Sequence, residues 1–209
     1  MPAPHTLALF MLAALALNLT PGPDMLYVTA RSVSDGRRAG IVAALGIGAG
    51  TLVHISALAL GLAALLAAVP LAYDVLRIAG AGYLLVIGVQ LLLRPRSSSA
   101  TTALPPASHK TIFAQAIVTN VLNPKVALFF LAFLPQFVDP AAGPALAQIV
   151  LLGLLFDVQG TAVNAAVALL ASGTTRRLRS NARAATLLQR LTGAIFVALG
   201  AKLAVAANR

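Results

Sequence analysis

Long apolar runs separated by short polar stretches occupy the whole 209-residue chain. Six runs emerge, at about 6–31, 40–69, 72–93, 111–135, 144–171 and 187–207, each near the roughly 20 residues that a bilayer core requires. The pattern predicts an all-α integral membrane protein with six transmembrane helices. Two of the runs carry breaks. Thr20-Pro21-Gly22-Pro23-Asp24 interrupts the first, and Asn123-Pro124-Lys125 interrupts the fourth. A proline removes a backbone donor and clashes with the preceding turn, so helices one and four are expected to be broken. In lipid, the freed backbone groups must find partners inside the protein or in a water-lined cavity.

The two halves also look like repeats. Arg77-Ile-Ala-Gly80-Ala-Gly-Tyr83 in the third run parallels Arg190-Leu-Thr-Gly193-Ala-Ile-Phe196 in the sixth. Three helices per half is an odd number, so the second half enters the membrane inverted. The expected organisation is a first three-helix repeat at 1–93, a Ser/Pro-rich cytoplasmic linker at 94–110 and a second three-helix repeat at 111–209. Interruptions at matching places in two inverted halves point to a secondary transporter's binding site. The other reading of the parallel is the general likeness of Gly/Ala-rich membrane helices. In the second run, Gly46 and Gly50 form a small-xxx-small pair suited to close helix packing. Gly46-Ile-Gly48-Ala-Gly50 does not meet the dinucleotide-loop pattern.

Composition sharpens this picture. The chain is 59% hydrophobic and 10% charged, with a mean hydropathy of +0.91. A soluble domain carries about 25% charged residues. There is no cysteine, which excludes disulfides, thiol nucleophiles and cysteine metal sites. The net charge is +10. The basic residues fall between apolar runs, so they set orientation and do not indicate nucleic-acid binding. Arg31, Arg37 and Arg38 follow the first run. Arg94, Arg96 and Lys110 follow the third, and Arg176, Arg177, Arg179 and Arg183 follow the fifth. The alternation predicts that both termini are extracytoplasmic.

A charge at the bilayer centre costs roughly 2.5–3.5 kcal/mol on insertion scales, so such residues are usually paired and functional. The candidates are Asp24, Lys125, Asp157 and His54, with Asn18, Asn120, Asn123, Gln159 and Asn164 as polar neighbours. Asp24 and Lys125 follow the two breaks. They are expected either to meet near the midplane, offsetting each other's desolvation, or to snorkel to an interface. Asp157, in the middle of the fifth run, suits a proton relay or a structural helix partner. His54 is open between a proton carrier and a packed, hydrogen-bonded ring. Thr20, Pro21, Gly22, Pro23 and Asp24, with Asn123, Pro124 and Lys125, form the candidate substrate site; Asp24, Asp157 and His54 are the candidate proton-coupling residues. HExxH, G-x-S-x-G and P-loop motifs are all missing, so no enzyme, cofactor or metal site is expected.

Taken together, several motifs carry a resemblance. Asn-Leu-Thr-Pro-Gly-Pro-Asp at 18–24, Gly36-Arg-Arg-Ala-Gly40 followed by the glycine-rich helix and His54, Arg77-Ile-Ala-Gly-Ala-Gly-Tyr-Leu, and Asn123-Pro124-Lys125 resemble the LysE/RhtB amino-acid exporters. The resemblance covers nearly the whole chain and leans toward the threonine/homoserine branch by general likeness. It implies export of small amino acids or their derivatives from the bacterial cytoplasm across the inner membrane, driven by the proton motive force. It carries over two motif regions, 20–24 and 123–125. The expected partners are therefore an amino acid, protons, the lipid bilayer and, where small-residue faces permit, a second copy. The competing class is a cation or metal-ion transporter or channel.

Overall fold

The computed structural model describes residues 2–68 and 105–172, with isolated helical positions between 78 and 93 and between 190 and 201. The third and sixth expected segments and most of the linker therefore lie outside the described residues. The described secondary structure is all helical.

Helix α1, Pro4–Leu19, and helix α2, Pro23–Ser34, form one span bent by 50°. Pro23 occupies the first position of α2, where a missing N–H costs nothing. Gly22 precedes it in extended backbone, φ −158°. Helix α3, Arg37–Ala68, is long, unbroken and apolar enough to cross a membrane. Helix α4, His109–Val121, starts at Ser108, whose hydroxyl accepts from Thr111 N at 3.1 Å. His109 and Lys110, expected in the linker, are thus already helical because a serine cap nucleates them. Helix α5, Pro124–Leu128, follows at 46° to α4. Its cap is Asn123, whose Oδ1 accepts from Lys125 N at 3.0 Å. A π-turn, Phe129–Phe133, and a 3-10 turn, Leu134–Phe137, complete this second bent span. Helix α6, Ala145–Ser172, is the second straight span.

Helix α3 runs between α4 and α6, and glycines set the spacing. A Cβ at Gly46 would lie 2.6 Å from both Ala116 Cβ and Phe113 O. One at Gly50 would lie 2.8 Å from Asn120 Cβ. Gly46 and Gly50 thus form the small-residue face expected for helix packing, and that face meets α4. Gly48, two residues round the helix, faces α6: its Cβ would lie 2.6 Å from Thr161 Oγ1.

The buried apolar residues fall in two clusters. One is aromatic, with Phe10, Phe129, Phe130, Phe133, Phe137 and Phe156 in mutual ring contact. The other is built of small residues, with Ala39, Ala43, Ala44, Ala116 and Ala168 around Val28, Ile47 and Ile112. Val126 and Phe156 of the first cluster and Ile47 of the second line one shared cavity.

Candidate functional site

The two breaks exchange side chains. Pro21 has no N–H, so Leu17 O loses its i+4 helical donor and accepts from Thr20 N at 3.0 Å instead. Lys125, at the start of α5, adds a further donor. Its Nζ donates to Leu17 O at 3.2 Å and to Thr20 O at 3.0 Å. A cation at a helix C-terminus also meets the negative end of the dipole. Gly22 gives the lysine stem room, since a Cβ there would stand 3.2 Å from Lys125 Nζ and 3.4 Å from Cε. In return, Asp24 at the start of α2 accepts at Oδ2 from Asn120 Nδ2 at the end of α4, 2.9 Å. Each break therefore sends the residue after it to the residues before the other.

Asp24 and Lys125 do not form an ion pair. Among the described residues the ion pair is Arg31–Asp35, at 3.0 Å. Asp24 is buried, 6% exposed, and its Oδ1 has no partner. Each charge is instead stabilised by amide groups of the opposite break.

Asn120 is the centre of this arrangement. Its Oδ1 accepts from Thr51 Oγ1 at 3.4 Å, a hydroxyl shared with Ile47 O. Its backbone oxygen accepts from His54 Nε2 at 3.1 Å. A carbonyl only accepts, so the ring carries its proton on Nε2. The His54 ring also stacks on Phe130. His54 is thus a packed, hydrogen-bonded histidine one residue removed from Asp24.

A cavity of about 20 Å³ lies against these residues, room for a water or two. Asp24, Lys125 and Asn120 line it, as do Asn18 and Asp157. Asp157 on α6 is half-buried and accepts from Thr161 Oγ1 at 3.4 Å. Asn18 on α1 lies against Gly160, where a Cβ would come within 3.0 Å of Asn18 Oδ1, and its Nδ2 is buried without a partner. Apolar walls come from Met25, Ile47, Val126 and Phe156. Of the expected site residues, Asp24, Lys125 and Asp157 reach the cavity. Thr20, Pro21, Gly22, Pro23, Asn123 and Pro124 shape the breaks behind it, and His54 lies behind Asn120.

Thr51 and Thr161 were not singled out in the sequence. Thr161 sits four residues after Asp157, one helical turn, and that spacing is the signal that could have found it. A second polar group closes the other end of α2. Arg31, expected in a loop, stands in the last turn and is buried. It donates to Asp35, to Pro105 O at 2.9 Å and to Gln115 Oε1 at 2.8 Å.

Apolar spans, two of them bent at breaks that interlock round a buried polar cavity, define a multi-pass membrane protein with a site built on discontinuous helices. The LysE type translocator family matches residues 15–207, and the chain belongs to that family. It is similar to the homoserine/homoserine lactone efflux protein of Salmonella typhimurium, 30% identical over 197 residues, covering 94% of this chain and 95% of that one. It is 36% identical over 207 residues to an uncharacterised membrane protein of Pseudomonas aeruginosa, covering 94% of each. The leucine efflux protein of Salmonella choleraesuis is 28% identical over 198 residues, covering 93% of this chain and 92% of that one. No solved structure matches the chain.

Proposed function

We propose that this protein exports small amino acids or their close derivatives, neutral and homoserine- or threonine-like, from the bacterial cytoplasm by proton antiport. One observation carries the reading. Two orphaned atoms of opposite kind, the donor Asn18 Nδ2 and the acceptor Asp24 Oδ1, belong to residues lining one cavity with the Lys125 ammonium. A zwitterion has the complementary pair of groups. Its ammonium suits Asp24, and its carboxylate suits Asn18 and Lys125. The apolar walls suit an uncharged side chain. The relatives named for homoserine and leucine efflux support the same substrate class.

Asp157 is the proposed proton carrier. It shares the cavity, is partly desolvated and holds only a long hydrogen bond. His54, through Asn120, connects a second titratable group to Asp24. The exchange of side chains between the breaks supports two inverted halves, 1–93 and 111–209, joined by the 94–110 linker. The inner membrane follows from export out of the cytoplasm.

The cavity has room for a water or two and not for an amino acid, so transport requires it to open. The test is counterflow in vesicles containing purified protein. Labelled homoserine or leucine is expected to exchange against unlabelled amino acid inside. Ion conductance without amino-acid exchange would replace the carrier with a channel.

A further inference from the structure

Arg31 is 4% exposed, and its guanidinium holds groups from α2, from α4 and from the chain ahead of α4. We propose that Tyr27, Arg31 and Gln115 form a latch closing the cavity on the side where α3 and α4 begin, and that the cavity is reached from that side only when Arg31 lets go. The latch governs access and goes beyond what the cavity carries.

Position along the helices places it. Asp24 lines the cavity at the start of α2, and Tyr27 and Arg31 follow about one and two turns on. Asn120 lines the cavity on α4, and Ile112 and Gln115 precede it. Both sets are displaced toward the end where Arg37 and His109 open α3 and α4. Across the gap, Arg31 Nη1 donates to Pro105 O at 2.9 Å and Nη2 donates to Gln115 Oε1 at 2.8 Å. Tyr27 Oη donates to Ile112 O at 3.1 Å or to Gln115 Oε1 at 3.0 Å, and accepts from Arg31 Nε at 3.3 Å.

The contact is built to reverse. Opening exchanges these hydrogen bonds for bonds to water, so each adds little net stability. Asp35 moves with Arg31, because it caps the same helix and pairs with Nη1 at 3.0 Å. The guanidinium therefore keeps a counter-charge when it leaves Pro105 and Gln115. The apolar packing at this end is thin, with Ala39, Ala43 and Ala44 of α3 against Ala116 and Ala168. Those alanines precede the cavity-lining Thr51, whereas Ile55 and Leu58 of the aromatic cluster follow it. The far side is thus closed by phenylalanines in ring contact, and parting them would expose more apolar surface to water.

The chain has no cysteine, so a single thiol reports access. Ile47→Cys places one in the cavity wall, at a position 3% exposed. Arg38→Cys, exposed at the start of α3, identifies the matching face of the membrane. The full chain is prepared in right-side-out and inside-out vesicles and treated with a membrane-impermeant maleimide. With the latch intact, the Ile47→Cys thiol is expected to react slowly from both faces. Adding Arg31→Gln is expected to speed the reaction about tenfold or more from the face that labels Arg38→Cys, with the rate from the opposite face unchanged. Should Arg31→Gln fail to insert, Tyr27→Phe replaces it: the ring stays, the hydroxyl goes, and a smaller increase from the same face is expected. Unchanged rates, an equal increase from both faces, or an increase from the opposite face alone overturns the latch. Labelling needs no cargo, so one-sided opening without amino-acid exchange would overturn the export reading and leave the latch standing.

Discussion

Asn120 carries more of the site than any charged residue does. It is 1% exposed and joins Thr51 and His54 of α3 to Asp24 of α2. Asn120→Leu would leave both Asp24 oxygens unpartnered in the protein interior. An orphaned buried group costs about 1–3 kcal/mol, more for a charged one. Export by this variant is expected to fall at least about tenfold, with the protein still inserted, as vesicle uptake and membrane fractionation would show. Asp157→Asn tests a different function. It removes the exchangeable proton but keeps the shape and the acceptor for Thr161. Uphill export is expected to stop while downhill exchange of labelled amino acid continues. Normal uphill export would remove Asp157 from the coupling. The charges themselves were legible in the sequence, since Asp24, Lys125 and Asp157 stand out in apolar runs. Their partners were not. Lys125 bonds residues 105 and 108 positions away, and Asn120 bonds one 96 away. Such contacts depend on helix pairing, which apolar periodicity leaves open. At the second restart the Lys125 N–H is already taken, because Asn123 caps it. The cation at the end of α1 stands where Pro21 removes a helical donor.

At the level of elements, prolines and glycines were legible for opposite reasons. A proline has a local effect, so both bends fall where Pro21, Pro23 and Pro124 place them. A glycine face matters only against a neighbour, and the spacing of Gly46 and Gly50 identified the face without identifying α4 as its partner. Stability can be apportioned by comparing glycines on one helix. Gly46→Ala puts a methyl 2.6 Å from backbone and side-chain atoms of α4, and overpacking of this kind costs about 1–3 kcal/mol. Gly61→Ala on the same helix meets nothing within 4 Å, and alanine is the better helix former. Thermal melting in detergent is expected to fall for the first variant and hold or rise for the second. Equal melting would mean that α3 and α4 separate easily.

Across the whole molecule, the expected orientation rests on arginines. Arg31 takes no part in the loop: it is folded into the bundle, tying α2 to Gln115 of α4 and to Pro105 ahead of α4. Arg37 and Arg38 begin α3 at the same end. Reporter fusions at Ser98 and Arg209 are expected to read cytoplasmic and extracytoplasmic, respectively. A cytoplasmic Arg209 would sink the inverted arrangement.

The contact between Lys125 and the α1 carbonyls has an electrical consequence. Its charge is stabilised by peptide dipoles, which stay with the protein and are not carried off with the cargo. A net-neutral amino acid arriving at the site changes the charge of the transporter by nothing. In the proposed proton antiport, membrane voltage then acts on the cycle through the proton alone, at about 2.3 kcal/mol per elementary charge per 100 mV. In vesicles at equal pH, a potassium-diffusion potential is expected to leave amino-acid exchange at the same rate and to alter net export. Exchange that quickened or slowed with voltage would mean that the loaded transporter carries uncompensated charge across the field.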